Sequence, residues 1–206
     1  NGIDLPGNLK ILKAEYGSYS NTWIICFGEM KNVSENYNQQ KVFLKSNDLR
    51  LNLIFRVYDE GAAFAWEFPE QEGLDSIIIT DEKIIFSFPA DYPAWSAPRA
   101  QAVYSHVPVS KIDTGAERPL VIEIDSALII ALTEAGLVDF ARMKFEPDSS
   151  SITGIRTRLD SEVRKTIPFQ SPWRVIMIGK NAGDLLEKNY LLLNLNEPAR
   201  IADLSW

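Results

Sequence analysis

Short segments in which apolar and polar residues alternate, each closed by turn residues, limit the possible folds of this chain more than any other feature. The clearest segment spans residues 49–57, where leucine, phenylalanine and valine occupy every second position. A period of two places these side chains on one face of a β-strand. Asp59-Glu60-Gly61 then supplies a turn, and residues 62–68 form a return strand that ends at Pro69. Residues 41–68 are therefore predicted to contain a β-hairpin.

Segments of this kind recur along the chain, whereas only one stretch has a helical pattern. Asn181 can cap that helix, which is predicted over residues 182–190. A second hairpin is predicted around residues 80–83, and residues 28–40 and 89–98 are predicted as loops because they are polar or rich in proline. Further strands are predicted over residues 77–79, 84–88, 121–124, 127–132, 141–145, 152–159 and 173–179.

About a dozen short strands with at most one or two short helices predict an all-β fold, because the sheets must bury their apolar faces against one another. The expected architecture is a large antiparallel two-sheet sandwich, with a closed barrel as the alternative. At 206 residues the chain is long enough for one large β domain. We therefore predict a single domain over residues 1–206.

Charge and hydropathy exclude several classes of protein. The net charge of −7 repels phosphate backbones, and no basic cluster opposes that repulsion, so no nucleic-acid partner is expected. The longest wholly apolar run, residues 127–132, is far shorter than the roughly 18 residues of a membrane-spanning helix. Cys26 is the only cysteine, which excludes an internal disulfide, and its apolar neighbours predict a buried thiol.

The carboxylate of Glu134 is the strongest single candidate for a functional group. It lies within the stretch 117–145, where it follows the apolar run 127–132 and precedes another alternating segment. A carboxylate at the end of an apolar strand is either a turn residue or a ligand. The pattern alone leaves both interpretations open.

Aromatic residues provide a second set of candidates. Tyr92 and Trp95 lie in the proline-rich segment 89–98, and Trp66 lies in the return strand of the hairpin. Flat rings match the C–H face of a pyranose, so these residues could stack on a sugar. For Tyr92 and Trp95 the favoured interpretation is that they attach the loop to the sandwich surface. His106 is the only histidine, which argues against a zinc site or a Cys–His nucleophile pair.

Four groups of residues are specific when they are taken together, in order and with their spacing. They are Phe55–Phe64 with Glu67-Phe68-Pro69, Phe88–Asp91 with Trp95, Glu134-Ala135 with Leu137 and Asp139–Met143, and Ile201–Trp206. In this arrangement they resemble the N-terminal domain of glycoside hydrolase family 97, the bacterial α-glucosidase and α-galactosidase family. The last group resembles the start of that family's linker into the next domain.

The resemblance implies a β-supersandwich similar to galactose mutarotase, followed in the same polypeptide by a catalytic (β/α)8 barrel. That barrel carries the carboxylate pair for glycoside hydrolysis, so no catalytic residue is expected in this chain, which we predict to end before the barrel. A glutamate of the N-terminal domain is implied to help hold calcium in the active-site cleft, and Glu134 matches it. Because calcium needs several oxygen ligands, the site is expected to be shared with the barrel. An oligosaccharide substrate and a periplasmic location are also implied.

Two other functions are compatible with a sandwich fold. A stand-alone carbohydrate-binding module would use Tyr92, Trp95 and Trp66 as stacking platforms for sugars. An aldose epimerase would need a general acid and a general base on opposite sides of the sugar ring, typically a histidine and a glutamate. Only His106 and Glu134 could supply that pair, which argues against an epimerase.

Overall fold

The strands of this protein form one large sheet and two small ones. The computed structural model describes residues 9–198 except 26, 27, 29 and 48. The helices are α1 (Ala182–Glu187) and α2 (Tyr190–Asn194), and Val109–Lys111 form a single 3-10 turn. The strands are β1 (Lys10–Ile24), β2 (Asn32–Ser46), β3 (Leu49–Tyr58), β4 (Gly61–Phe68), β5 (Ser76–Ile79), β6 (Ile85–Ser87), β7 (Pro93–Ser96), β8 (Ser105–Pro108), β9 (Leu120–Asp125), β10 (Leu128–Ala135), β11 (Met143–Pro147), β12 (Gly154–Leu159), β13 (Val163–Thr166), β14 (Phe169–Gln170) and β15 (Trp173–Gly179).

Ten strands build the large sheet, in the order β1-β2-β3-β4-β15-β10-β9-β7-β8, with β14 paired to β4. The small sheets have the orders β11-β12-β6 and β13-β5. Every pairing between the named strands is antiparallel. Strand β10 lies near the middle of the large sheet, between β15 and β9.

The two faces of the large sheet are covered differently. One face, called the helix face here, packs against α1 and α2 through Leu185, Leu191 and Leu195. The opposite face, the small-sheet face, packs against β11 and β12 in one core cluster and against β5 and the segment before β14 in another. Because side chains alternate along a strand, Ile129, Ala131 and Ala135 of β10 face the helices, whereas Leu132 faces β11 and β12.

The prediction of an antiparallel all-β sandwich with at most two short helices is confirmed. The layer opposite the large sheet is divided into two small sheets, which the sequence pattern did not predict. Among the described residues, no helix is long and apolar enough to span a membrane. The predicted helix over 182–190 is split into α1 and α2, and Asn181 caps α1 by accepting a hydrogen bond from the backbone N–H of Asp184 at 3.0 Å.

The hairpin predicted within residues 41–68 is confirmed as β3 and β4, which are joined at Asp59 and Glu60. Gly61 takes a φ of +152°, and a Cβ added there would lie 2.1 Å from the carbonyl oxygen of Ile176. Glycine is therefore required where the hairpin approaches β15. The predicted strands 121–124, 127–132 and 173–179 correspond to β9, β10 and β15.

Three local predictions were wrong, and two of them concern segments that were predicted as loops. The predicted loop 28–40 is mostly strand, because residues 32–40 belong to β2, a polar strand that pairs with β1 and β3 and is only partly covered. Polar side chains are tolerated in such a strand, so the apolar alternation that marks a strand is missing. Within the predicted loop 89–98, residues 93–96 form β7, whose Ala94 and Ser96 are buried.

The hairpin predicted around residues 80–83 does not form. Strand β5 pairs with β13, and β6 pairs with β12, so the segment between them connects two different sheets. Polar side chains of this segment bind distant parts of the chain instead of closing a local turn. For example, Asp81 Oδ1 accepts a hydrogen bond from the backbone N–H of Leu159 at 3.0 Å. The predicted buried thiol of Cys26 and the linker-like residues 201–206 lie outside the described residues.

Tyr58 is the one tyrosine whose hydroxyl is buried without a hydrogen-bond partner among the described residues. Its side chain is 6% exposed in the core of the helix face. Burial raises the pKa of Tyr58 to about 12, against the opposing effect of the nearby Arg56 guanidinium, which itself stacks on Tyr37 and Trp173. The protein therefore keeps Tyr58 protonated at a pH at which the unfolded chain has already lost that proton.

Replacing Tyr58 with Phe should remove an alkaline component of unfolding. The unfolded pKa is about 10, so the contribution of Tyr58 to stability is complete below pH 10 and is lost as the pH rises toward 12, by at most about 3 kcal/mol. Urea unfolding from pH 8 to 12 should show a shallower loss of stability in Tyr58→Phe than in the wild-type protein. Tyr104→Phe, at a half-exposed site, is the matched control; equal pH profiles for the two variants would contradict this interpretation.

Candidate functional site

Glu134 lies at the end of β10, on the small-sheet face of the large sheet. In the register of β10 and β15 it is directly opposite Arg174. Its neighbour Ala135 points toward the helices, so Glu134 points toward β11, and its side chain is only 3% exposed. The apolar run before it fills the middle of the sheet, which brings the carboxylate into the interior at the boundary between the large sheet and β11.

Arg174 is the most deeply buried charged side chain near this site, with 1% of its surface exposed. Its Nη1 donates to Glu134 Oε2 at 2.5 Å. Its Nε donates to Glu82 Oε1 at 3.1 Å, and its Nη2 donates to Glu82 Oε2. The planar guanidinium thus binds one carboxylate with two donors and the other with one, a geometry that lysine could not reproduce.

Arg118 and the backbone of β11 hold the other side of the Glu134 carboxylate. Arg118 Nε contacts Glu134 Oε1 at 2.5 Å, and the backbone N–H of Met143 donates to Oε1 at 3.3 Å and to Oε2 at 3.1 Å. A carboxylate has about four lone-pair positions. With two guanidinium contacts and a shared N–H, each oxygen of Glu134 accepts from two directions, so the carboxylate is held in a single orientation.

The ion pairs continue outward from Arg118. Its Nη1 donates to Glu117 Oε2 at 2.8 Å, and Glu117 Oε1 accepts from Lys144 Nζ, also at 2.8 Å. Arg142 contacts Glu117 at 3.3 Å and donates to Asp160 at 2.8 Å, and this hydrogen bond lowers the pKa of Asp160. The complete cluster contains Glu82, Glu117, Glu134 and Asp160 with Arg118, Arg142, Lys144 and Arg174, so its formal charges cancel.

Among the residues that the structure describes, Glu134 is not accompanied by the further ligands that a calcium site needs. Calcium takes about six to eight oxygen ligands, whereas Glu134 offers two oxygens that already accept from two arginines and a backbone N–H. The two adjacent guanidinium groups also repel a cation. Within residues 9–198, excluding the four undescribed positions, no group of three His, Cys, Asp or Glu side chains could hold a metal.

Trp95 lies on the opposite face of the large sheet, in a second polar cluster. Its Nε1 donates to Glu123 Oε1 at 2.9 Å, and its ring stacks on His106 with centroids 4.5 Å apart. His106 Nε2 lies 3.2 Å from Glu123 Oε2. The indole is 40% exposed. Because Glu123 and His106 both contact it, the exposed ring is held in one orientation at the β7-β8 edge of the sheet.

The predicted sugar-binding aromatics do not converge. Tyr92 is half-buried against Phe88 in the core beneath β11 and β12, and Trp66 is half-buried in the other core of the small-sheet face. Trp95 faces away from both of them, because the adjacent Ala94 is the residue of β7 that enters the small-sheet core. His106 and Glu134 likewise lie on opposite faces of the large sheet, so they cannot act on one sugar ring from two sides.

Sequence reasoning found Glu134 but missed the residues that hold it. Arg174 lies in the apolar segment 173–179, where one arginine in an otherwise buried strand was the available signal. Glu82 is 92 residues away in the chain from Arg174, within a segment whose composition indicated a turn. Arg118 precedes Pro119 and β9 in an ordinary charged loop, and no local pattern distinguishes it.

Comparison of the sequence and the fold with known proteins identifies one family. The profile of the family described as Glycosyl-hydrolase 97 N-terminal matches residues 1–198. Structures of a glycoside hydrolase family 97 enzyme from Pseudoalteromonas sp. strain K8, in complex with panose (as its E480Q variant) and with acarbose, superpose with a TM-score of 0.87 at 29% identity. The match covers 96% of this chain and 32% of that enzyme, so this chain spans about a third of the length of the enzyme.

A more distant structure shares the fold alone. A β-arabinopyranosidase superposes with a TM-score of 0.74 at 20% identity, over 84% of this chain and 32% of that protein. The shared fold by itself does not indicate a substrate.

Replacing Arg174 with Met should destabilise the protein strongly, because Glu82 loses its guanidinium partner and Glu134 keeps only one of its two guanidinium partners, Arg118. Breaking a buried ion pair in this way costs about 3–5 kcal/mol. Arg164→Met, at a side chain that is 71% exposed, should change the free energy of unfolding by less than about 0.5 kcal/mol. Urea unfolding of both variants at pH 7 makes the comparison, and a cost below about 1 kcal/mol for Arg174→Met would show that the cluster does not depend on it.

Proposed function

Since this chain belongs to glycoside hydrolase family 97, as the N-terminal domain, we propose that it packs on the catalytic domain of such an enzyme and contributes Glu134 to the active-site cleft. The chain spans 32% of the length of the family 97 enzyme it matches, so the hydrolysis itself belongs to the rest of the polypeptide. The domain supplies a fixed polar group and a folded support for the cleft. No residue of this chain is proposed to act as the general acid or the nucleophile.

The geometry of Glu134 is the observation that supports this role. A carboxylate that helps to build a cleft must be charged and must keep one orientation. Arg174 and Arg118 fix the orientation, since they hold the two oxygens from opposite sides at 2.5 Å. A turn residue at a strand end would need neither guanidinium, so the buried cluster argues against the turn interpretation.

We propose calcium only for the assembled enzyme, on the basis of the family resemblance. The catalytic domain would have to supply most of the ligands, because this chain provides one carboxylate. Oε1 is the oxygen better able to reach a partner from another domain. Its contact, Arg118, is 19% exposed and has Glu117 as a second partner, whereas Arg174, which holds Oε2, is 1% exposed.

The substrate is proposed to be an oligosaccharide, with an α-glucoside or an α-galactoside as the linkage that is cleaved. Structures of the Pseudoalteromonas enzyme are in complex with panose and with acarbose, which makes panose a suitable first probe. Because the three candidate aromatics lie in three separate places, we do not propose a stand-alone carbohydrate-binding module. Sugar contact by Trp95 stays a prediction, as does the periplasmic location.

Glu134→Gln in the full-length enzyme should lower panose hydrolysis by at least tenfold, because the carboxylate charge is lost from the cleft. Rates and thermal unfolding are measured together, since the substitution also removes an ion-pair partner of two arginines. Glu134→Asp keeps the charge but withdraws the carboxylate by one methylene, so it should also lose activity while remaining closer in stability to the wild-type enzyme.

Glu162→Gln is the matched control, because that carboxylate is 54% exposed and its one ion pair, to Arg164, is on the surface. It should leave both activity and unfolding unchanged. Wild-type hydrolysis by a folded Glu134→Gln enzyme would contradict the proposed role of Glu134.

A further inference from the structure

The end of the sandwich that carries Glu134 also carries the last described residues of the chain. Asn196 Oδ1 accepts a hydrogen bond from the backbone N–H of Gly136 at 2.9 Å. Its Nδ2 donates to the carbonyl oxygen of Leu192 at 2.5 Å. Since Gly136 follows Glu134 by two residues, Asn196 ties the segment after α2 directly to the loop behind the candidate carboxylate.

The backbone of Gly136 has a conformation that favours glycine. Its φ is +67°, a left-handed conformation that glycine adopts without strain. A Cβ added there would lie 3.4 Å from the carbonyl oxygen of Leu195 and 3.7 Å from Trp173 Cδ1. These are ordinary contact distances, so glycine is favoured at residue 136 by its left-handed backbone conformation and not by a lack of space.

The same segment is anchored on its other side to the first two strands. Asn194 is 7% exposed; its Oδ1 accepts from Trp23 Nε1 at 2.9 Å, and its Nδ2 donates to the carbonyl oxygen of Ser34 at 2.8 Å. Leu191 is fully buried in the core of the helix face. The path of residues 190–196 is thus fixed relative to both β1–β2 and the Glu134 end of β10.

Beside this fixed segment, the loop of residues 136–139 exposes apolar side chains. Val138 is 74% exposed and Leu137 is 37% exposed. The loop is nevertheless braced, because the backbone N–H of Val138 donates to the carbonyl oxygen of Gly136 at 2.9 Å and Lys165 contacts Asp139 at 2.7 Å. Leu137 and Val138 are neighbours, and contiguous exposed apolar surface marks interaction sites, whereas single exposed apolar side chains do not.

We infer that the loop of residues 136–139 is the docking surface for the catalytic domain that follows the N-terminal domain in family 97 polypeptides. The inference rests on the proposed function. The matched enzyme has about two thirds of its length outside the matched region. A domain joined to the chain after residue 198 is tethered beside this loop, which raises its effective concentration there above that of a second copy or any untethered protein.

The docking surface is tested in the full-length enzyme with Val138→Asp, which puts a charge on the proposed contact. The measurements are the rate of limited proteolysis within the segment after residue 198 and kcat/KM for panose. Loss of one buried valine contact should raise the cleavage rate by about tenfold and lower kcat/KM. Asn196→Ala, which releases the loop from the segment after α2, should act in the same direction.

Val103→Asp and Ile152→Asp are matched controls, because these side chains are 88% and 80% exposed on loops outside the proposed surface. They should stay within about twofold of the wild-type enzyme in both measurements. If Val138→Asp behaves like these controls while Glu134→Gln abolishes hydrolysis, the docking surface is wrong and the proposed function stands. If Val138→Asp exposes the linker while Glu134→Gln hydrolyses panose normally, the docking surface stands and the role of Glu134 is wrong.

Discussion

The ion pairs of Arg174 with Glu82 and Glu134 join two central strands of the large sheet to the connection between the two small sheets. Arg174 belongs to β15 and Glu134 to β10, at the centre of the large sheet, whereas Glu82 lies in the connection between the two small sheets. Burying a guanidinium is costly unless its donors are matched, and here Nε, Nη1 and Nη2 all reach carboxylate oxygens. The same side chain therefore takes part both in orienting Glu134, together with Arg118, and in holding Glu82 against the large sheet.

The parts of the fold that the sequence predicts are those governed by local alternation and turn chemistry. The hairpin of β3 and β4, the strands β9, β10 and β15 and the cap at Asn181 follow from residues close together in the chain. Strand β2 escapes prediction because its side chains are polar and only partly covered. The turn-like residues 80–83 mislead because their carboxylates bind residues that are 78 and 92 positions away.

In the candidate site, too, one residue could be predicted from local sequence and its partners could not. Glu134 stands out in the sequence, since a carboxylate at the end of a long apolar run is unusual in a buried strand. Its partners do not, because Arg118 and Glu82 come from segments without periodicity and meet it only when the sheets pack. The resemblance to family 97 provides the expectation of a shared site, and the geometry adds that both oxygens of Glu134 are already held by arginines. In the proposed function, the domain contributes an oriented carboxylate and the catalytic domain carries out the remaining chemistry.

A crystal structure of the full-length enzyme tests this arrangement most directly, through the position of Glu134 relative to the boundary between the two domains. We predict that Glu134 keeps its contact with Arg174, that its carboxylate lies at the boundary, and that Leu137 and Val138 are covered by the catalytic domain. A boundary at the β8 edge or over the helices, with Glu134 enclosed within the sandwich and distant from the catalytic carboxylates, would contradict it.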